Sequence, residues 1–263
     1  MKPATSRTKR KRPPVEDRRT AIKAFPVDDR SRLLRAVSSS LKDRSPRVRE
    51  ASLEVARDKV LDELNFQVID LVSDKNNFVR QRAIECFGSF HVGEAIEVPW
   101  LYPFLEDLEV LTRVETLETL TQIGDRKALP FMVESLRDDD YLVRSYAAIS
   151  IAELGGRKFR RLIELASKAE TVETARPWFA RSLLLLGDWK QFSRLLELLS
   201  SNSPTARCAA ANALTAFEWS SDQLELALTS VAHAARNFLA RSDQSTMENV
   251  LKQLLEDVAA PSH

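Results

Sequence analysis

The chain has 263 residues, 44% hydrophobic and 29% charged, with only 6 glycines, 12 Phe and 3 Tyr. That composition excludes a collagen-like or wholly disordered chain and suits a helical protein with a core. No run approaches the roughly 18 apolar residues of a membrane span, and the charged N-terminus lacks a secretory h-region, so a cytoplasmic protein is expected, or a nuclear one in a eukaryote.

The net charge of +1 conceals an asymmetry. Residues 1–20, "MKPATSRTKRKRPPVEDRRT", hold eight basic and two acidic groups, whereas the other 243 residues carry 31 basic and 36 acidic ones. A basic, proline-containing stretch with little apolar content cannot offset its ordering entropy by burial. Residues 1–24 are therefore expected to be a disordered tail, with the folded body at 25–263. Within the tail, Lys9, Arg10, Lys11 and Arg12 could hold phosphate without sequence selectivity, or act as an import signal. A solubilising tail, or one folded back on an acidic groove, is the competing reading.

The body repeats. Arg49, Arg80, Arg113, Arg144, Arg176 and Arg207 recur at 31 to 33 residues. Six positions before them stand Asp43, Asp74, Asp107, Asp138, Glu170 and Ser201; seven after come Ala56, Phe87, Leu120, Ile151, Leu183 and Leu214. Aligned columns of this kind mark a repeat architecture. Each unit reads as two helices. Leu129, Met132, Val133 and Leu136 carry the helical spacing of a first helix, which Pro99 or Pro130 opens. A polar turn follows, then a second helix opened by Pro46 or Pro204 and stopped by Gly124, Gly155 or Gly187 in a left-handed conformation. One such pair exposes apolar surface on both sides, and stacking covers it, so an α-solenoid of six to seven repeats is expected. From about residue 220 a divergent, longer helical pair should cap the array.

The segments "DRSPRVREASLEVARD", "DKNNFVRQRAIECFGSF" and "DDDYLVRSYAAISIAELG" resemble the HEAT-repeat superfamily, especially its short-unit phycobilisome-lyase-type form, over residues 28–218. The resemblance implies an all-α, right-handed superhelix of at least twelve helices. It also implies a structural ladder in which Asp43, Asp74, Asp107 and Asp138 face Arg49, Arg80, Arg113, Arg144, Arg176 and Arg207. The aspartates would accept N–H groups opening each second helix, and each arginine would bridge to a neighbour's aspartate or to carbonyls.

In HEAT-like folds the second helices line a concave face, which places function in columns that vary. Two and five residues after the arginines, Glu54, Glu85, Glu115 and Glu118 give way to Tyr146, Ile149, Trp178 and Arg181. Glu85, Glu115, Glu118, Tyr146, Ile149, Trp178 and Arg181 are thus the candidate partner site, with exposed aromatics as anchors. The competing reading makes the aromatics gap-fillers and the glutamates a solvated face. A non-catalytic interaction module binding another protein or a basic peptide is expected, with nucleic-acid association through the tail as the alternative. HEAT-like enzymes fit less well. With three histidines and no His-Glu dipeptide, the di-iron site of a HEAT-like hydroxylase cannot be assembled, and nothing marks a bilin lyase's tetrapyrrole pocket. An acidic body opposes the basic groove of a DNA glycosylase. Trp100 and Trp189 read as packing residues, and Cys86 and Cys208 as two buried, reduced thiols. No cofactor, metal or membrane is expected.

Overall fold

Helical periodicity is realised throughout a computed structural model that describes residues 13–26, 29–214, 225 and 228–233. No strand occurs among them. Residues Lys9 to Arg12 and most of the expected C-terminal cap lie outside the described residues. The chain divides into two compact units, Met1–Glu94 and Ala95–His263. Both are built from helix pairs in succession, which makes the fold an all-α solenoid.

In the first unit, α1 (Val15–Lys23), α3 (Pro46–Asp58) and α5 (Asn77–Phe90) form one layer, while α2 (Arg30–Ser40) packs on α3 and α4 (Asn65–Leu71) on α5. In the second, α6 (Val110–Ile123), α8 (Tyr141–Gly155), α10 (Arg176–Leu185) and α12 (Pro204–Leu214) stand side by side. Each is backed by its partner: α7 (Leu129–Ser135) on α8, α9 (Arg160–Ala169) on α10 and α11 (Lys190–Leu198) on α12. The partner of α6 is not the α-helix expected after Pro99. Prolines at 99 and 103 remove two N–H donors, and the segment winds as a 3-10 helix, Pro99–Glu106. Buried Asp125 anchors it, accepting from the Val98 N–H at 2.9 Å and the Tyr102 hydroxyl at 2.8 Å.

The repeat columns become the core. Val48, Val79, Val143, Ala175 and Ala206 are buried beside the arginine positions, and Ala56, Leu120, Ile151, Leu183 and Leu214 one or two turns further on. Two buried hydroxyls find partners four residues back: Ser52 donates to the Val48 carbonyl at 2.7 Å, Thr116 to that of Thr112 at 2.8 Å. Gly124 and Gly187 end their helices at φ +89° and +87°, as expected. Gly155 does not. It is the last helical residue of α8, and Gly156 takes the positive φ of 72°. Gly155 must be glycine for a different reason: a Cβ there would lie 2.3 Å from the Phe159 ring.

The ladder is present, with two corrections. Arg49 forks onto both Asp74 oxygens at 2.8 and 2.7 Å, and its third nitrogen donates to the Asp43 carbonyl at 2.8 Å. Arg80 donates to the Asp74 carbonyl at 3.1 Å. Arg113 reaches Asp138 at 2.9 Å and the Asp107 carbonyl at 2.8 Å. Arg144 forks onto Glu170 at 2.8 and 3.0 Å and donates to the Asp138 carbonyl at 2.7 Å. Arg207, fully buried, donates to the Ser201 carbonyl at 2.6 Å. Each turn carboxylate also closes its own turn. Asp43, Asp74, Asp107 and Asp138 accept the N–H of the residue two further on, at 2.8 to 2.9 Å. That residue is the helix N-cap itself, one step earlier than the helix N–H groups expected as donors.

The first correction extends the ladder. Residues expected to be tail form α1, and Arg18 forks onto Asp43 at 3.0 and 3.1 Å. Arg18 lies 31 residues before Arg49, so α1 is the second helix of an earlier repeat, with Ile22 buried against it. The second correction removes a rung. Arg176 is exposed and begins α10 at its first residue, whereas Arg49 and Arg144 lie one turn inside their helices. The residue 25 positions on, where other rungs have a carboxylate, is Ser201, which donates to Glu173 at 2.7 Å instead. Placed at the helix start rather than one turn inside, and with no acid 25 residues on, Arg176 makes no rung.

Two outcomes follow from the ladder. Arg18→Ala should cost about 1–3 kcal/mol by leaving the part-buried Asp43 short of a partner, and Ile22→Ala about 2–4 kcal/mol by opening a cavity, both read by urea denaturation. If residues 15–23 carry no tertiary role, neither changes the midpoint. Burial raises the Glu170 carboxyl, but the Arg144 fork and the Val172 N–H outweigh it and hold it below the ordinary range. Its contribution is complete above the unfolded value of about 4.3 and is lost as pH falls through the lower folded value. The stability difference between wild type and Glu170→Gln should be flat at neutral pH and shrink only below about pH 4.

Candidate functional site

The candidate residues lie on the layer of second helices. Helix α6 contributes Glu118, Thr121 and Gln122 to a cleft of about 260 Å³; α8 adds Tyr146, Ile149, Ser150 and Glu153, α10 adds Trp178 and Arg181, and α12 adds Asn212. The spacing of three to four residues along each helix keeps these side chains on one face. Five of the seven sequence-nominated residues, Glu118, Tyr146, Ile149, Trp178 and Arg181, thus share one cleft. Glu115 is half-buried on α6 outside its lining, and its charge still acts on Tyr146.

Glu85 is elsewhere and already engaged. It belongs to the first unit, where it pairs with Arg57 of α3 and Arg82 of α5. Glu54 of the same column pairs with Lys23. The acidic surface expected over the N-terminal half is therefore largely neutralised within the fold.

Burial corrects the expected exposure of the anchors. Ile149 is only 7% exposed and forms the apolar floor of the cleft. Tyr146 and Trp178 are half-buried, standing partly in the helix layer rather than on it. Trp189, expected to pack, is instead 55% exposed at the start of α11. Glu153, Ser150 and Asn212 were not nominated from sequence. Glu153 was the findable one, since it lies four residues after Ile149, one turn along the same face.

Charges converge on the cleft. Burial, then the neighbouring Glu118 carboxylate, pushes the Tyr146 phenol above its ordinary value. Burial likewise raises the Glu153 carboxyl, opposed by the Arg181 guanidinium 3.5 Å away. That separation exceeds the 2.7–3.2 Å of a good hydrogen bond, and the Arg181 Nε has no hydrogen-bond partner. The arrangement has the parts of a recognition site: aromatic walls, an apolar floor, two carboxylates and a loosely held guanidinium. Outside it, burial pushes the Cys86 thiol up to about 12, while Cys208 is half-buried rather than buried. Among the described residues no cluster of His, Cys, Asp or Glu has the geometry of a metal site, and no helix is long and apolar enough to cross a membrane.

Residues 98–183 match the family model of HEAT repeats. Among solved structures, the complex of CpcE and CpcF of phycocyanin lyase from Nostoc sp. PCC7120 is similar in fold. The TM-score is 0.60 at 16% identity, with 84% of this chain and 94% of that chain covered. An engineered protein aligns at 15% identity over 92% of this chain and 96% of its own, with a TM-score of only 0.32. No curated protein sequence matches the chain.

Partial burial sets the cost of testing the aromatics. Trp178→Ala should lower stability by about 1–2 kcal/mol, roughly half the cost at a fully buried site, whereas Trp189→Ala should stay within about 0.5 kcal/mol. Thermal denaturation separates the two; equal shifts would contradict the burial difference.

Proposed function

From a stack of HEAT-like helix pairs carrying one such cleft, we propose that the chain is a non-catalytic interaction module holding a partner protein or peptide on its second-helix face. The observation that carries this reading is the convergence of Glu118, Tyr146, Ile149, Trp178 and Arg181, from three helices, on one cleft. Repeat architecture requires small or aliphatic residues where helices touch. It does not require a tyrosine, a tryptophan and an arginine side by side at the open face. Half-buried aromatics beside arginine are the residues that most often carry binding energy at interfaces. The cleft volume of about 260 Å³ also lies just under the ~300–1,000 Å³ usual for small-molecule and cofactor pockets, which favours a side chain as occupant.

A photo-crosslinking amino acid placed at the exposed Gln122, on the rim of the cleft, tests the reading. The control position is Leu165, half-exposed on α9 in the other layer. Irradiation in native lysate should give a discrete adduct from position 122 and none from 165. The same adducts from both positions, or none from 122, would overturn the proposal. With the partner identified, Glu115→Lys with Glu118→Lys should slow its association severalfold at low salt and less at high salt, provided the partner segment is basic.

A further inference from the structure

We infer that the cleft is a socket for a single basic side chain, an arginine or lysine on an extended partner segment, with Glu118 and Glu153 as the carboxylates that select it. This rests on the cleft being the partner site. Four observations lead to it. Among the described residues lining the cleft, the charged groups are two carboxylates and one guanidinium, a net negative charge on that part of the lining. Its size suits one long side chain. Its lining includes the rings of Tyr146 and Trp178, and an aromatic ring attracts a cation placed over its face once water is excluded. Its internal cation is poorly seated: Arg181 touches Glu153 at 3.5 Å, at one nitrogen only.

An incoming guanidinium or ammonium would find Glu153 part-exposed, on a carboxylate whose existing partner is distant. Closing on it would replace a long contact with a charge-assisted hydrogen bond of ordinary length. The floor formed by Ile149 would cover the aliphatic stem, while the head group reaches the two glutamates. An acidic side chain meets the opposite situation. It would approach Arg181 past Glu118 and Glu153, and two like charges at close quarters disfavour it.

The consequence is a pH dependence of known direction. Burial holds the Glu153 carboxyl above the ordinary range, so its protonation begins at higher pH than for an exposed carboxylate, and cation binding weakens there. Groups facing it are Arg181, which lowers it, and the other cleft residues Glu118 and Tyr146.

Selection of a random heptapeptide phage library on the full chain tests the inference. Three variants serve as comparison targets: Glu118→Gln with Glu153→Gln, which keeps shape and removes charge; Gln122→Trp, which fills the mouth from an exposed position; and Glu153→Gln alone for the pH profile. Their melting temperatures are measured first, to confirm that each target is folded. The expected result is enrichment of peptides sharing one fixed Arg or Lys. Affinity for them should fall about tenfold on the double glutamine variant and vanish on Gln122→Trp. It should weaken toward acid pH in wild type and much less in Glu153→Gln. Peptides blocked by Gln122→Trp but lacking a basic residue, or preferring an acidic one, would overturn the socket while leaving the cleft as partner site. Peptides indifferent to Gln122→Trp, or no enrichment at all, would overturn both.

Discussion

At Arg49 one guanidinium connects three things that would otherwise vary independently. The fork of Arg49 or Arg144 takes the carboxylate of the following repeat, and the remaining nitrogen takes carbonyls of its own turn. Asp74 also accepts the N–H of Asn76, the N-cap ahead of its second helix, and Glu170 that of Val172, the N-cap of the 3-10 turn before α10. Turn geometry, helix start and the register between neighbours are thereby set by one planar group. The rung side chains are mostly buried, 15% and 9% exposed for Arg49 and Asp74. At that burial the Coulombic gain is largely offset by desolvation, so an intact rung adds modest net stability, while losing one partner leaves a costly unmet charge. The ladder's contribution is mainly to specify which stacking is native.

The repeat that contains α10 shows what happens without a rung. Helix α10 starts at Arg176 behind a 3-10 turn, Glu173–Ala175, and spans 10 residues against 15 in α8. Its position depends instead on apolar packing by Phe179, Ala180, Leu183 and Leu184. Both Trp178 and Arg181 of the cleft belong to this helix. These two cleft residues thus sit on the element least constrained by the ladder, where sequence can change with the smallest penalty to stacking.

Much of this was legible in the sequence, because the constraints on stacking act identically in every repeat. Columns of aliphatic and small residues predicted the core, and acid with Arg at fixed spacing predicted the rungs of Arg49, Arg113 and Arg144. Legibility failed where a constraint is local. Arg18 keeps the 31-residue spacing, but its charged, proline-flanked surroundings read as tail because only Ile22 supplies a deeply buried side chain. Arg176 keeps the spacing and loses the role, because Pro177 and the missing acid at Ser201 alter where the helix starts and what the arginine can meet. Two adjacent glycines, 155 and 156, cannot be told apart by periodicity; only the Phe159 ring decides which one is helical.

The candidate site was legible in the same uneven way. A column of glutamates read from sequence is a count of charges, and a count says nothing about their pairing. In the structure Glu54 is taken by Lys23, and Glu85 by Arg57 and Arg82, so much of that column is spent inside the first unit. In the cleft, Glu118 and Glu153 stand beside an Arg181 that meets Glu153 at 3.5 Å. Screening over roughly 8 Å at physiological salt makes the same point physically: a bound side chain responds to the charges lining its cleft, and hardly at all to the balance of the whole chain. The charge of one cleft in such a repeat protein can therefore be changed by one or two substitutions on a single face, with the ladder and the core left as they are.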